Sequence, residues 1–236
     1  MTLTCGSALS PEGRLRLVIF DCDGVLVDSE ALSCRIVAEA AREAGLDVSD
    51  EAAVARFAGR ALSSIQTDIE EATGSSLGEN WCLTIQDRFV QAFGHGVDLV
   101  DGAHAMLDGV IDLGLPVRVG SNSSMTEMDV KFRVTGLYDR LEGRIHSARD
   151  MKRPKPEPDV YLYAAAVEGV APAECVVLED SDTGARAALA AGMTCVLLRS
   201  AQEPAPHDDN LIRIETLTEF QPLLENALFF QKLKTT

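Results

Sequence analysis

Leu15-Arg16-Leu17-Val18-Ile19-Phe20 runs without a break into Asp21-Cys22-Asp23-Gly24. The first stretch is short, apolar and β-branched, and it stops at a carboxylate. A buried parallel strand has this pattern when it delivers a polar loop at its carboxyl end. Three further runs do the same. Pro116 to Val119 leads into Gly120-Ser121-Asn122, Cys175 to Leu178 into Glu179-Asp180-Ser181, and Thr194 to Leu198 into Arg199. Helical stretches lie between them, at Ala103 to Leu113, Glu127 to Val134, Pro158 to Glu168 and Thr183 to Ala191, the last closed by Gly192. Glycine suits the left-handed position just past a helix end. Strands alternating with helices predict an α/β fold, a Rossmann-like three-layer core with a parallel sheet between helices. Such sheets bind ligands beyond the carboxyl ends of their strands.

The alternation fails between residues 29 and 96. No strand run is found there. Ala31 to Ala44, stopped by Gly45, and then Ser49 to Phe57, Leu62 to Ala72 and Glu79 to Phe93 read as helices. The expected organisation is therefore a core of residues 1–28 and 97–236 with an inserted all-helical cap domain, 29–96. One larger α/β domain with a helical excursion is the alternative. Gln202 to Asn210 reads as a loop rich in Pro and Asp, and Phe220 to Lys232 as a closing helix.

Composition narrows the function. The 236 residues carry 21 Lys+Arg against 37 Asp+Glu, a formal charge of −16, which disfavours binding to a nucleic-acid backbone. An anionic ligand would need local cations or a metal. The cysteines Cys5, Cys22, Cys34, Cys82, Cys175 and Cys195 form no C-x-x-C pair and read as reduced, mostly buried residues of a cytoplasmic protein. Met1 to Arg16 lacks the apolar centre of a signal peptide, and no stretch is long and apolar enough to span a membrane.

Four loci can carry chemistry. Asp21 and Asp23 can converge on one point, one as nucleophile or metal ligand and the other as general acid and base. A solvated turn is the plain alternative. Ser121-Asn122-Ser123, past a strand and before a helix, offers a hydroxyl and backbone N–H groups to an anion, or simply caps the helix. Lys155 stands in Lys155-Pro156-Glu157-Pro158-Asp159, a proline-stiffened segment that limits the entropy of placing an ammonium. Otherwise it is one exposed lysine among Lys152 and Arg153. Glu179 and Asp180 suit a hard divalent cation, or, with Ser181, an ordinary helix start. Taken together the four supply a nucleophile, an acid, a hydroxyl, a cation and a metal pair, as phosphoryl transfer requires.

Val18 to Glu30 resembles the first motif of the haloacid dehalogenase superfamily, in the branch with a helical cap inserted after it. Val119 to Ser124, Arg153 to Asp159 and Val176 to Met193 resemble the second, third and fourth motifs, in the same order. The likeness is closest to sugar-phosphate phosphatases and β-phosphoglucomutases. It implies that Asp21 attacks phosphorus and that Asp23 handles the leaving-group and water protons. Ser121 and the Asn122 backbone would bind the phosphoryl group, with Lys155 balancing its charge. Mg²⁺ would be held by Asp21, the Asp23 carbonyl and Asp180, with Glu179 beside it. Ser29 is a candidate for the substrate side, and the cap loop at Gly59-Arg60, with Arg35 and Arg56, for its non-phosphate end; the plain alternative for each arginine is an ordinary surface residue.

Within the family, Asp23 argues against metal-free dehalogenation. The absence of lysine from Ser29 to Val100 argues against Schiff-base phosphonate cleavage. The cap His and Arg of the mutases fall here on Ser33 and Leu62. The expected function is Mg²⁺-dependent hydrolysis of a small phosphorylated metabolite, a sugar phosphate or a sugar-acid phosphate such as 6-phosphogluconate. A β-phosphoglucomutase and a non-catalytic phospho-ligand-binding relative are the alternatives. Monomer and dimer are both open.

Overall fold

The computed structural model describes residues 7–234. In chain order the elements are β1 (Leu17–Phe20), β2 (Val27–Asp28), α1 (Glu30–Glu43), α2 (Asp50–Phe57), α3 (Leu62–Thr73), α4 (Trp81–His95), β3 (Asp98–Leu99) and α5 (Ala103–Asp112). There follow β4 (Val117–Ser121), α6 (Met125–Val134), α7 (Tyr138–Leu141), β5 (Ile145–Ser147), α8 (Asp159–Glu168), β6 (Cys175–Glu179), α9 (Asp182–Ala190), β7 (Thr194–Leu198), β8 (Leu211–Ile214) and α10 (Phe220–Lys234).

Six strands form one sheet in the order β5-β4-β1-β6-β7-β8, all parallel. After β1 the chain winds outward on one side through β4 and β5, then returns to lay β6, β7 and β8 on the other. The carboxyl end of β1 thus sits where the winding reverses, the position at which such sheets open a crevice.

Both faces of β1 are buried, which is why it reads as an unbroken apolar run. Val18 and Phe20 join Val176, Leu178, Leu107, Phe132 and Phe220 in one cluster. Leu17 and Ile19 join Val177, Cys195, Tyr161, Ala164 and Ala188 in the other. Truncating a fully buried Phe20 to alanine would cost about 3–5 kcal/mol. Helices α1 to α4 pack around a third cluster containing Val37, Phe57, Ile65, Ile69, Ile85 and Phe93. The segments that lead into and out of these helices pair as an antiparallel ribbon, Val27 with Leu99 and Asp28 with Asp98. Helix α4 also packs against α6.

The structure departs from the sequence expectations in places. Strand β4 continues through Ser121, because β5 pairs with it up to Ser121 and Ser147. Helix α6 begins at Met125 rather than Glu127. Ser124 accepts the Glu127 amide at 3.2 Å and Glu127 Oε2 accepts the Ser124 amide at 2.7 Å, a reciprocal cap that sets the start. Strands β5 and β8 and the β2–β3 ribbon were not expected. The stops at Gly45 and Gly192 are found, with φ of 94° and 74°. Cys22, Cys34, Cys175 and Cys195 are buried free thiols and Cys82 is half-buried; Cys5 lies outside the described residues. Among the described residues no helix is long and apolar enough to cross a membrane.

Candidate active site

The loop after β1 is shaped by its backbone. The Asp21 amide donates to the Leu178 carbonyl at 2.9 Å, which ties the end of β1 to β6. The Cys22 carbonyl accepts the Leu26 and Val27 amides, each at 2.9 Å, so the chain folds back at once. Gly24 sits at φ 77°, and a Cβ there would overlap the Asp180 carboxylate. Only glycine meets both conditions without strain.

Asp21 and Lys155 are joined inside this crevice. Lys155 Nζ lies 2.6 Å from Asp21 Oδ1 and 2.7 Å from Glu179 Oε1, and 4.7 Å above the Tyr161 ring. Lys155 is buried, unlike exposed Lys152 and Arg153, so the reading of an interchangeable loop lysine is excluded. Its backbone is fixed too. The Lys155 amide donates to Asn122 Oδ1 at 2.8 Å, and the Lys155–Pro156 peptide is cis. Asn122 therefore spends its side chain on the lysine segment. Ser121 Oγ accepts the Ser123 amide at 3.0 Å. Neither residue caps α6, since Ser124 does that.

Glu179 is a hub. Tyr161 donates to its Oε1 at 2.7 Å, and Oε2 accepts the Asp180 amide at 3.1 Å, the Ser181 amide at 3.1 Å and Ser181 Oγ at 3.0 Å. Ser181 also caps α9 by accepting the Gly184 amide at 3.0 Å. A Cβ at Gly184 would overlap Glu179.

Asp23 faces a different set of partners. Lys131 Nζ donates to Oδ1 at 2.5 Å, Ser123 Oγ donates to Oδ2 at 2.7 Å, and Ser29 Oγ donates to Oδ1. Ser29, expected on the substrate side, is thus buried and turned to Asp23. Arg60 is not brought into this cluster. Its guanidinium is engaged by Asp68 at 2.5 Å and Ser64 at 2.7 Å, both within the helical insert. Arg35 pairs with Asp50 at 3.8 Å, and Arg56 lies over the Phe57 ring at 5.7 Å. Lys131 and Tyr161 were not picked out from the sequence as site residues, and Ser123, read there as part of an anion pocket, instead donates to Asp23. The signal that was available for Lys131 was a lysine inside a helix whose neighbours Met128 and Phe132 are apolar.

The electrostatics separate these acids. Burial pushes Asp21 up to about 7; Lys155 opposes this, while Glu179 and Asp23 add to it. Burial, then the charges of Asp21 and Glu179, push Asp180 up to about 8. Burial would also raise Glu179, but Lys155 and the hydrogen bonds of Tyr161 and Ser181 hold it below its ordinary value. Asp23 is half-buried; desolvation would raise it, but Lys131, Ser29 and Ser123 hold it below its ordinary value. Asp21, Glu179 and Asp180 each offer an oxygen, and these oxygens lie within 4.8 Å of one another. Among the described residues Lys155 is the one ammonium bonded there, so three ionised carboxylates would leave two negative charges uncompensated. Hard oxygen donors with that surplus fit a divalent cation such as Mg²⁺.

A doubly wound α/β enzyme with a carboxylate-lined crevice at the winding reversal is the class that fold and site define. The chain belongs to the haloacid dehalogenase-like hydrolase family, whose model matches residues 18–198. It is 30% identical over 210 residues to the putative phosphatase YhcW of Bacillus subtilis, covering 88% of this chain and 94% of that protein. It is 26% identical over 215 residues to the 6-phosphogluconate phosphatase of Escherichia coli, covering 90% and 94%. It also matches Suppressor of quenching 1, chloroplastic, of Arabidopsis thaliana at 30% over 203 residues; the match takes in 82% of this chain and 19% of that longer protein. Among solved structures, a hydrolase of the same family from Deinococcus radiodurans, with bound phosphate and sodium, superposes with a TM-score of 0.72. That match is 29% identical and covers 90% of this chain and 96% of that one.

Proposed function

We propose that this chain is a Mg²⁺-dependent phosphatase of small phosphate monoesters, sugar phosphates or sugar-acid phosphates, working through an aspartyl-phosphate on Asp21. The observation that carries the proposal is the buried Asp21–Lys155–Glu179 chain of ion pairs at 2.6 and 2.7 Å, beside Asp180 and at the carboxyl end of β1. The relatives named as phosphatases support the same reading.

In this reading an Asp21 oxygen attacks phosphorus and the bond to the ester oxygen breaks. The departing oxygen takes a proton from Asp23, which must first acquire it, since Lys131 holds the free carboxyl low. Water then attacks the phosphorus, Asp23 takes its proton, and orthophosphate leaves with Asp21 restored. Ser121 Oγ and the Asn122 backbone hold the phosphoryl oxygens, and Lys155 offsets their charge. A divalent cation held by Asp21, the Asp23 carbonyl and Asp180, with Glu179 beside it, supplies charge neutralisation when bound. Residues 29–96 act as a cap that excludes bulk water. The substrate partner is a small phosphorylated metabolite of the cytoplasm.

The test is phosphate release from a panel of sugar phosphates, sugar-acid phosphates and phosphoglycolate, with Mg²⁺ and with chelator, beside Asp21→Asn. Metal-dependent release that falls at least about 10³-fold in the variant is expected. Near wild-type rates in Asp21→Asn would refute the covalent route. No metal-dependent release from any ester would refute the phosphatase.

A further inference from the structure

Three donors converge on the carboxyl group of Asp23, and one of them belongs to none of the sequence motifs. Lys131 extends from α6, and its side chain is 2% exposed against 32% for Asp23. Its Nζ is 2.5 Å from Asp23 Oδ1 and 3.1 Å from Ser123 Oγ. It also lies 4.4 Å from the centre of the Phe93 ring, on α4. The stem is therefore enclosed where α4 packs on α6, and the ammonium is a fixed post. Packing alone does not call for a charge there. A methionine would fill similar volume without the cost of desolvating an ammonium, and a buried ion pair is weak grounds for stability. What the ammonium does that a methyl group cannot is orient an oxygen. Lys131 and Ser29 hold Oδ1 while Ser123 holds Oδ2, so both oxygens of Asp23 have set directions. Proton transfer to a departing oxygen depends on such placement.

We propose that Lys131 is a positioning residue for phosphoryl transfer. Anchored between α6 and Phe93, it holds Asp23 in the orientation from which that carboxyl group serves the leaving oxygen. This rests on the phosphatase reading above. It also joins the helical insert to the reaction centre, since Phe93 belongs to the cluster of α1 to α4.

The experiment compares wild type, Lys131→Met, Lys131→Arg, Asp23→Asn and Lys131→Met/Asp23→Asn, each with Mg²⁺. Two substrates are used: the best alkyl ester of the panel, and p-nitrophenyl phosphate, whose leaving group departs without a proton. The quantity read is kcat/KM, which stops at departure of the leaving group. Lys131→Met is expected to lose roughly 10²-fold on the alkyl ester and to stay within about threefold on the aryl ester. In the Asp23→Asn background the lysine change should add nothing beyond about threefold. Lys131→Arg, which keeps the charge, should recover part of the alkyl activity.

Equal losses on both esters would reduce Lys131 to a structural residue and overturn the inference, as would no loss at all, or a loss undiminished without Asp23. If Lys131→Met lacks the native circular dichroism spectrum, Ser123→Ala takes the same measurement. It removes the hydroxyl shared by Lys131 and Asp23, and the same selectivity for the alkyl ester is then required. A wild type that releases no phosphate from any ester refutes the phosphatase reading, and the inference with it. Activity that needs Asp23 but ignores Lys131 refutes the inference alone.

Discussion

Lys155→Met deletes an ammonium and leaves the stem in place. In the wild type that ammonium touches two carboxylates, at 2.6 and 2.7 Å, and the side chains of Lys155, Asp21 and Glu179 are 3%, 10% and 0% exposed. Removing one partner of a buried pair costs about 3–5 kcal/mol, since the other charge is left uncompensated. Two features of this site favour the lower end. Glu179 keeps the donors Tyr161, Asp180 and Ser181, and Asp21, already near 7, can take a proton. We therefore expect a loss of about 3 kcal/mol at pH 8, or roughly 6–12 °C in Tm for a chain of this size.

The loss depends on pH in a known direction. Without Lys155, burial acts unopposed and the carboxyl groups move further up. The native state then binds more protons than the unfolded chain, so the variant gains stability as pH falls. The deficit at pH 5.5 should be clearly smaller than at pH 8. Urea unfolding followed by far-ultraviolet circular dichroism, in chelator, measures both. A deficit below about 1 kcal/mol at pH 8, or one that does not change with pH, would show that Lys155 is not the counter-charge of this cluster.

Other expectations follow from the same contacts. Tyr161→Phe removes the 2.7 Å hydrogen bond to buried Glu179 and should cost about 1–3 kcal/mol by urea unfolding. Gly24→Ala forces an alanine to φ 77° and against Asp180; a stability loss of about 1–3 kcal/mol and a higher Mg²⁺ requirement for phosphate release are expected. In chelator, Asp21 near 7 and Asp180 near 8 keep protons that the unfolded chain has lost above about pH 4. Metal-free Tm should therefore fall as pH rises from 6 to 8.5. A cation that displaces those protons should raise Tm more at pH 8.5 than at pH 6, which a Mg²⁺ titration by scanning calorimetry checks.

Much of the fold was legible because its signals are local. A short apolar run that gives way to a polar loop marked β1, β4, β6 and β7, since a strand buried on both faces is mostly apolar until it leaves the sheet. Gly45 and Gly192 marked helix ends because the left-handed conformation excludes most other residues. The missed strands were those whose burial is incomplete. In β8 only Leu211 and Ile214 are buried, and in β5 only Ser147 is, so neither reads as a continuous apolar run, and each exists because a neighbouring strand offers it a ladder.

The division within the site follows the same line. Asp21, Asp23, Ser121, Lys155, Glu179 and Asp180 could be singled out from the chain because each lies at or just past a strand end, or in a proline-stiffened loop. Their types and order settled which chemistry the crevice could attempt. Which acid meets which cation was decided only by the tertiary structure. Asp23 and Lys131 are separated by 108 positions, and Asp21 and Lys155 by 134. Their charges are set by burial and by each other, and no local pattern encodes either. Three-dimensional packing therefore turned a D-x-D loop into two acids of opposite character, Asp21 raised beside Lys155 and Asp23 lowered beside Lys131. The cost of a buried charge depends on the partner that the fold brings within reach.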